Sequence, residues 1–102
     1  MEFDTENKPY QPVERLCLLA PGLLGASVAL ASRKNRTANS IAIWSRRASS
    51  RAKLVGQPWC DEICDEPGKA VADADFVVIC TPVDFVVPLY NEIRGSLKSG
   101  AI

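Results

Sequence analysis

Apolar residues fall along this chain in short blocks separated by turn residues, and the spacing inside the blocks alternates between two kinds. Arg15 to Ala20 (Arg-Leu-Cys-Leu-Leu-Ala) is continuously apolar after its first residue, the pattern of a strand buried on both faces. Pro21-Gly22 breaks the run. Leu24, Val28 and Ala31 then recur at i, i+4 and i+7, which predicts a helix over about 23–34 with Arg33 and Lys34 against the negative end of its dipole. Asn35 is the expected left-handed stop. Ser40 to Trp44 predicts a second strand, and a short helix follows over about 49–55, ended by Gly56-Gln57-Pro58. Glu62 to Cys64 is a third, very short strand, and Pro67 is suited to open a helix through Val71 and Ala72. Phe76 to Cys80 (Phe-Val-Val-Ile-Cys) is apolar throughout and rich in β-branched residues, so it is the clearest strand. Thr81-Pro82 turns the chain into a helix over about 83–94, and Gly100-Ala101-Ile102 reads as a strand beginning. Residues 1–14 are polar, hold Pro9 and Pro12, and show no periodicity; they read as a loose arm before a folded unit over 15–102.

Strand and helix alternate at short spacing without hairpin signals, which argues for an α/β fold with a parallel sheet covered on both faces. A chain of 102 residues with 47% hydrophobic and 24% charged residues fits one globular domain. Its 12 Lys+Arg and 12 Asp+Glu cancel, so no global field draws it to nucleic acid or an anionic membrane. The distribution is uneven: from Arg15 to Pro58 every charge is basic, whereas from Trp59 to Glu92 only Lys69 opposes the acids. An anionic ligand is therefore expected on the first half. The chain has no histidine, which removes His-based acid/base chemistry and His-rich metal sites from this segment.

Leu16 to Ser32 is uncharged, but Glu2, Asp4, Glu6 and Glu14 outnumber Lys8 and Arg15 ahead of it, the reverse of an export signal. Cys17 and Cys80 fall in apolar strand runs, where a reduced buried thiol is ordinary. Cys60 and Cys64 lack a second Cys/His pair, so no metal site is expected. A reducing, cytoplasmic compartment follows.

The chemistry gathers at Ala20-Pro21-Gly22-Leu23-Leu24-Gly25, where the first strand meets the first helix. That is the place of the dinucleotide fingerprint G-x-G-x-x-G, here with Ala in the first slot. Gly22 stands where backbone must approach a pyrophosphate, Gly25 where helix and strand pack closely, and the helix start offers unpaired N–H groups. About 20 residues on, where an acid would bond the ribose 2′-hydroxyl of NAD, stands Ser45, followed by Arg46 and Arg47. A hydroxyl and two guanidiniums accept a 2′-phosphate, so the reading is NADP over NAD. Cys80-Thr81-Pro82 ends the strand expected across the switch point from the first, where ligands of open α/β sheets bind. Thr81 there reads either as a cofactor contact or as a helix N-cap. Asp61-Glu62 and Asp65-Glu66 read as solvated surface charge, and Trp44 and Trp59 as packing residues.

These residues resemble the nucleotide-binding half of the prephenate and arogenate dehydrogenases. The resemblance rests on Leu18 to Ser27, on Ala74 to Val83 with its Thr-Pro-Val ending, and on Leu97 to Ile102. Pyrroline-carboxylate reductases and β-hydroxyacid dehydrogenases share weaker versions. It implies a Rossmann-like, doubly wound sheet of order 3-2-1-4-5, incomplete at four to five strands, and oxidative decarboxylation of prephenate or arogenate with hydride transfer to NADP, in tyrosine biosynthesis. It further implies that the catalytic histidine, a substrate-side serine and the domain that forms a homodimer lie beyond Ile102. Cofactor contacts alone carry over: Ala20, Pro21, Gly22, Leu23, Leu24, Gly25, Ser45, Arg46, Arg47, Cys80, Thr81 and Pro82. The rival expectation is a stand-alone, non-catalytic NADP-binding or interaction module.

Overall fold

The computed structural model describes residues 13–102; the loose arm expected over 1–14 lies, except for Val13 and Glu14, outside the described residues. Eight elements alternate along the chain: β1 (Val13–Leu19), α1 (Gly22–Asn35), β2 (Ala38–Trp44), α2 (Ala48–Leu54), β3 (Glu62–Cys64), α3 (Pro67–Val71), β4 (Phe76–Ile79) and α4 (Val83–Ile93). The strands form one parallel sheet of order β3-β2-β1-β4. The strand order that the family resemblance implies is thus present for its first four members. At the β4 edge, Ile102 donates its N–H to Asp75 O (3.0 Å) and accepts from Val77 N–H (2.8 Å), the bonding of a parallel neighbour opposite Phe76. This single pair stands where the fifth strand was expected.

The period-2 geometry of β1 divides the core. Cys17 and Leu19 face one side with Trp44, Cys64, Ala70, Val71, Leu89 and Ile93, under α3 and α4. Leu16 and Leu18 face the other with Ile41, Ile43, Ala29, Leu54 and Trp59, under α1 and α2. Because β1 is central and covered on both sides, an unbroken apolar run was required there. β4 reads in sequence as the most apolar strand, yet its residues are only half-buried or exposed, because it is the outer strand of the described sheet.

Two local details differ from expectation. The left-handed residue ending α1 is Arg36 (φ 54°), not Asn35, which completes the last helical turn. Arg36 N–H reaches Arg33 O (3.4 Å) and Thr37 N–H reaches Ser32 O (2.9 Å), a Schellman arrangement whose geometry sets the stop one residue later. α4 runs through Pro88 without ending, although proline there removes one helical donor.

Candidate functional site

The C-terminal ends of β1, β2 and β4 come together at one edge of the sheet. Ala20 N–H bonds Trp44 O (2.7 Å) and Cys80 N–H bonds Leu19 O (3.0 Å), so the turns after all three strands are held in register. The order of the sheet reverses here between β1, which leads outward to β2, and β4, which returns on its other side. The twelve residues expected to contact a cofactor lie on these turns and on the start of α1, and the fold brings the three sequence segments to one edge.

The glycine turn after β1 combines left-handed backbone with one open and one crowded glycine. Ala20 takes φ 53° and Gly22 φ 53°, both left-handed, so the first slot keeps the tight-turn conformation even with a Cβ present. A Cβ placed on Gly22 meets nothing within 4 Å, leaving its backbone face open. A Cβ on Gly25 lies 2.4 Å from Pro21 Cβ, so a side chain there collides with the turn itself, and it also crowds Cys80 Sγ past the end of β4 (3.3 Å). Gly25 N–H closes the first helical bond onto Pro21 O (2.6 Å). α1 has no side-chain cap and no acid in its first turn, which leaves its leading N–H groups and positive dipole end unopposed.

Opposite this turn, Ala20, Trp44, Arg46, Thr81, Pro82, Phe85, Pro88 and Leu89 line a cavity of about 220 Å³. Thr81 Oγ1 is buried and has no hydrogen-bond partner among the described residues. The N-cap role open to Thr81 in the sequence is not taken, since Pro82 holds the cap position and no side chain caps α4. Ser45 is buried at the end of β2, and its carbonyl, with that of Arg46, accepts from Arg51 Nη1 (2.7 and 2.9 Å). The Arg46 guanidinium lies over the Trp44 ring (5.1 Å to the centroid) and pairs with Glu92 (3.4 Å). Arg47 makes no ion pair among the described residues.

Sequence reasoning missed Arg51, Glu92 and the α4 wall of Phe85, Pro88 and Leu89. Pro88 was the available signal, a helix-disfavoured residue inside an apolar helical pattern. The larger open cleft of about 550 Å³, beside β3, has Lys69 on its wall. Lys69 already pairs with Asp65 (3.8 Å) and Glu66 (3.5 Å), and the cleft contains none of the expected residues. Burial raises all four cysteine thiols, pushing Cys17 up to about 12 and Cys64, aided by Glu62, to about 11. Among the described residues no His/Cys/Asp/Glu group is arranged to hold a metal, and no helix is long and apolar enough to cross a membrane.

Among solved structures the chain is similar to Synechocystis arogenate dehydrogenase, with a TM-score of 0.75 and 25% sequence identity over 86% of this chain. The fold is Rossmann-like. The Rossmann-like unit spans 31% of that enzyme's length. No family model matches the sequence, and no curated protein does.

Proposed function

We propose that this chain is the NADP-binding portion of a prephenate or arogenate dehydrogenase. The observation that carries the reading is the glycine turn at the switch point, open at Gly22 and tight at Gly25, beside a cavity that Thr81 and Pro82 help to line. The leading N–H groups of α1, from Gly22 onward, suit a pyrophosphate. Thr81, Pro82 and Cys80 suit the remainder of the dinucleotide across the crevice.

Ser45, Arg46 and Arg47 set the cofactor preference. The second strand delivers no carboxylate of its own at the ribose position, and two guanidiniums are at hand to bind a 2′-phosphate. When bound, the nicotinamide supplies the hydride acceptor; this chain's residues bind and orient it, and none is assigned to proton transfer. The likeness to arogenate dehydrogenase supports a dehydrogenase-related class; we propose prephenate or arogenate as the whole enzyme's substrate and a homodimer as its state.

Titration of the protein with NADPH and NADH tests the proposal. NADPH is expected to bind at least about tenfold tighter, ~1.4 kcal/mol. Preferential NADH binding would overturn the cofactor assignment, and binding of neither would overturn the reading as a whole.

A further inference from the structure

Arg46 and Arg47 are adjacent, but their surroundings differ. Both are exposed, but Arg47 makes no ion pair among the described residues, while Arg46 has three partners. Its carbonyl is held by Arg51 from below, its guanidinium lies over Trp44, and its Nη2 reaches Glu92 Oε2 at 3.4 Å. Trp44 and Arg46 form the β2 wall of the 220 Å³ cavity, and Phe85, Pro88 and Leu89 form the α4 wall. Glu92 lies on that same helix, so the Arg46–Glu92 pair ties the β2 end to α4 beside the cavity.

We propose that Glu92 is a built-in competitor for Arg46, occupying its guanidinium until a phosphate displaces it and thereby setting how strongly the site prefers a phosphorylated ribose. This rests on the NADP-binding reading above. The pair is a single contact at the long end of hydrogen-bonding distance, and both side chains are largely exposed, 68% for Arg46 and 47% for Glu92. Such a contact exchanges readily. A 2′-phosphate brings more negative charge and three acceptor oxygens, and it accepts the guanidinium fork with two parallel bonds where Glu92 offers one. The competition is one-sided between cofactors: a 2′-hydroxyl does not recruit the charge of Arg46, so Glu92 subtracts from NADPH affinity and leaves NADH affinity nearly untouched. Glu92 also remains within a Debye length of the phosphate after displacement, which adds a repulsion that salt weakens. Glu92 is therefore a positioning residue acting through Arg46, whose guanidinium also rests against the Trp44 ring.

Calorimetric titration of the wild-type protein, Glu92→Gln, Arg46→Ala and the double variant with NADPH and NADH tests this. Glu92→Gln is expected to tighten NADPH binding roughly three- to tenfold at low ionic strength, with a smaller gain at high salt and less than about a twofold change for NADH. In the Arg46→Ala background the same substitution is expected to give no gain, as a double-mutant cycle requires of a pair. Unchanged or weaker NADPH binding by Glu92→Gln, an equal gain for NADH, or a gain that persists without Arg46 would each overturn the proposal. The two readings separate cleanly: if the wild-type protein binds neither nucleotide, the cofactor reading falls and Glu92's role with it, whereas wild-type NADPH binding with a flat Glu92→Gln result removes Glu92 alone.

Discussion

At the scale of single residues, the turn after β1 is held by three small residues under different constraints. Ala20 sits at φ 53° with a Cβ that L-residues rarely carry there, at a cost of roughly 1–2 kcal/mol. Ala20→Gly removes that strain but frees the unfolded chain, so a net stabilisation of about 0.5–1 kcal/mol is expected, measured by chemical denaturation. Gly25 is the opposite case. Its Cβ would lie 2.4 Å from Pro21 Cβ, a ring atom that cannot swing aside, so Gly25→Ala is expected to destabilise the fold by about 1–3 kcal/mol. Gly22 separates binding from folding. Its backbone is left-handed and its surroundings are open, so Gly22→Ala costs about 1 kcal/mol of stability while its methyl group occupies the face offered to a pyrophosphate. A β-branched residue there would confound the two effects through strain. The glycine spacing was readable in the sequence because it is local. The conformation of Ala20 was not, because the letter alone does not tell whether the first slot is strained or abandoned.

At the scale of elements, β3 and β4 begin by the same device. Asp61, just before β3, donates its N–H to Ile41 O (2.9 Å) and accepts Ile41 N–H on Oδ2 (2.7 Å). Asp75, just before β4, donates to Arg15 O (2.9 Å) and accepts Arg15 N–H on Oδ2 (3.0 Å). Each aspartate thus extends the ladder one residue ahead of its strand, with its side chain replacing a carbonyl. A cation backs each carboxylate, Arg33 at Asp61 (2.6 Å) and Lys98 at Asp75. The sequence reading of Asp61-Glu62 as solvated charge is thereby corrected: Asp61 is exposed on one side but bonded to a wholly buried residue on the other, and Glu62 pairs with Arg15. Their partners lie 20 and 47 positions away in sequence, beyond the reach of any local pattern.

Asp61→Ala strips the acceptor from a buried N–H and is expected to cost about 1–2 kcal/mol; Asp61→Asn keeps an acceptor and costs less. The pH dependence has a definite sign. Burial raises the Asp61 carboxyl, but Arg33 and the Ile41 N–H outweigh it and hold it below the ordinary value; Arg15 does the same for Glu62, and Lys98 with the Arg15 N–H for Asp75. Groups lowered in the folded state contribute stability that is complete above their unfolded values near ~4 and is lost as pH falls through the folded ones. Thermal unfolding followed between pH 7 and pH 2 is expected to be flat down to about 5 and then to fall, less steeply in Asp61→Asn. A stability that is level through pH 3 would remove these carboxylates as ties.

At the scale of the molecule, the zero net charge is the sum of two segments that fold against each other. Three arginines of the basic half pair with acids of the other half: Arg15 with Glu62, Arg33 with Asp61, Arg46 with Glu92. The expectation that the first half attracts an anion is thereby narrowed. Arg15 and Arg33 serve the sheet, Arg46 is shared, and Arg47 is left exposed at the start of α2. Strand order was legible because each crossover is a short strand-helix-strand unit, whose handedness leaves few arrangements. The cavity was not, since its walls join residues from Ala20 to Leu89 that only the closed sheet brings together. A ligand that spans those walls must stabilise the whole sheet, because it contacts the ends of β1, β2 and β4 at once. At a free concentration of about 100 times Kd, NADPH is expected to add ~2.7 kcal/mol to the folded state, which for a domain of ~100 residues raises Tm by roughly 10–20 °C. NADH at the same concentration is expected to give a smaller shift, and Gly22→Ala to abolish most of both while lowering the unliganded Tm by roughly 4–8 °C. Equal shifts with NADPH and NADH would remove Ser45, Arg46 and Arg47 as the discriminating set, and an undiminished shift in Gly22→Ala would detach the glycine turn from nucleotide binding.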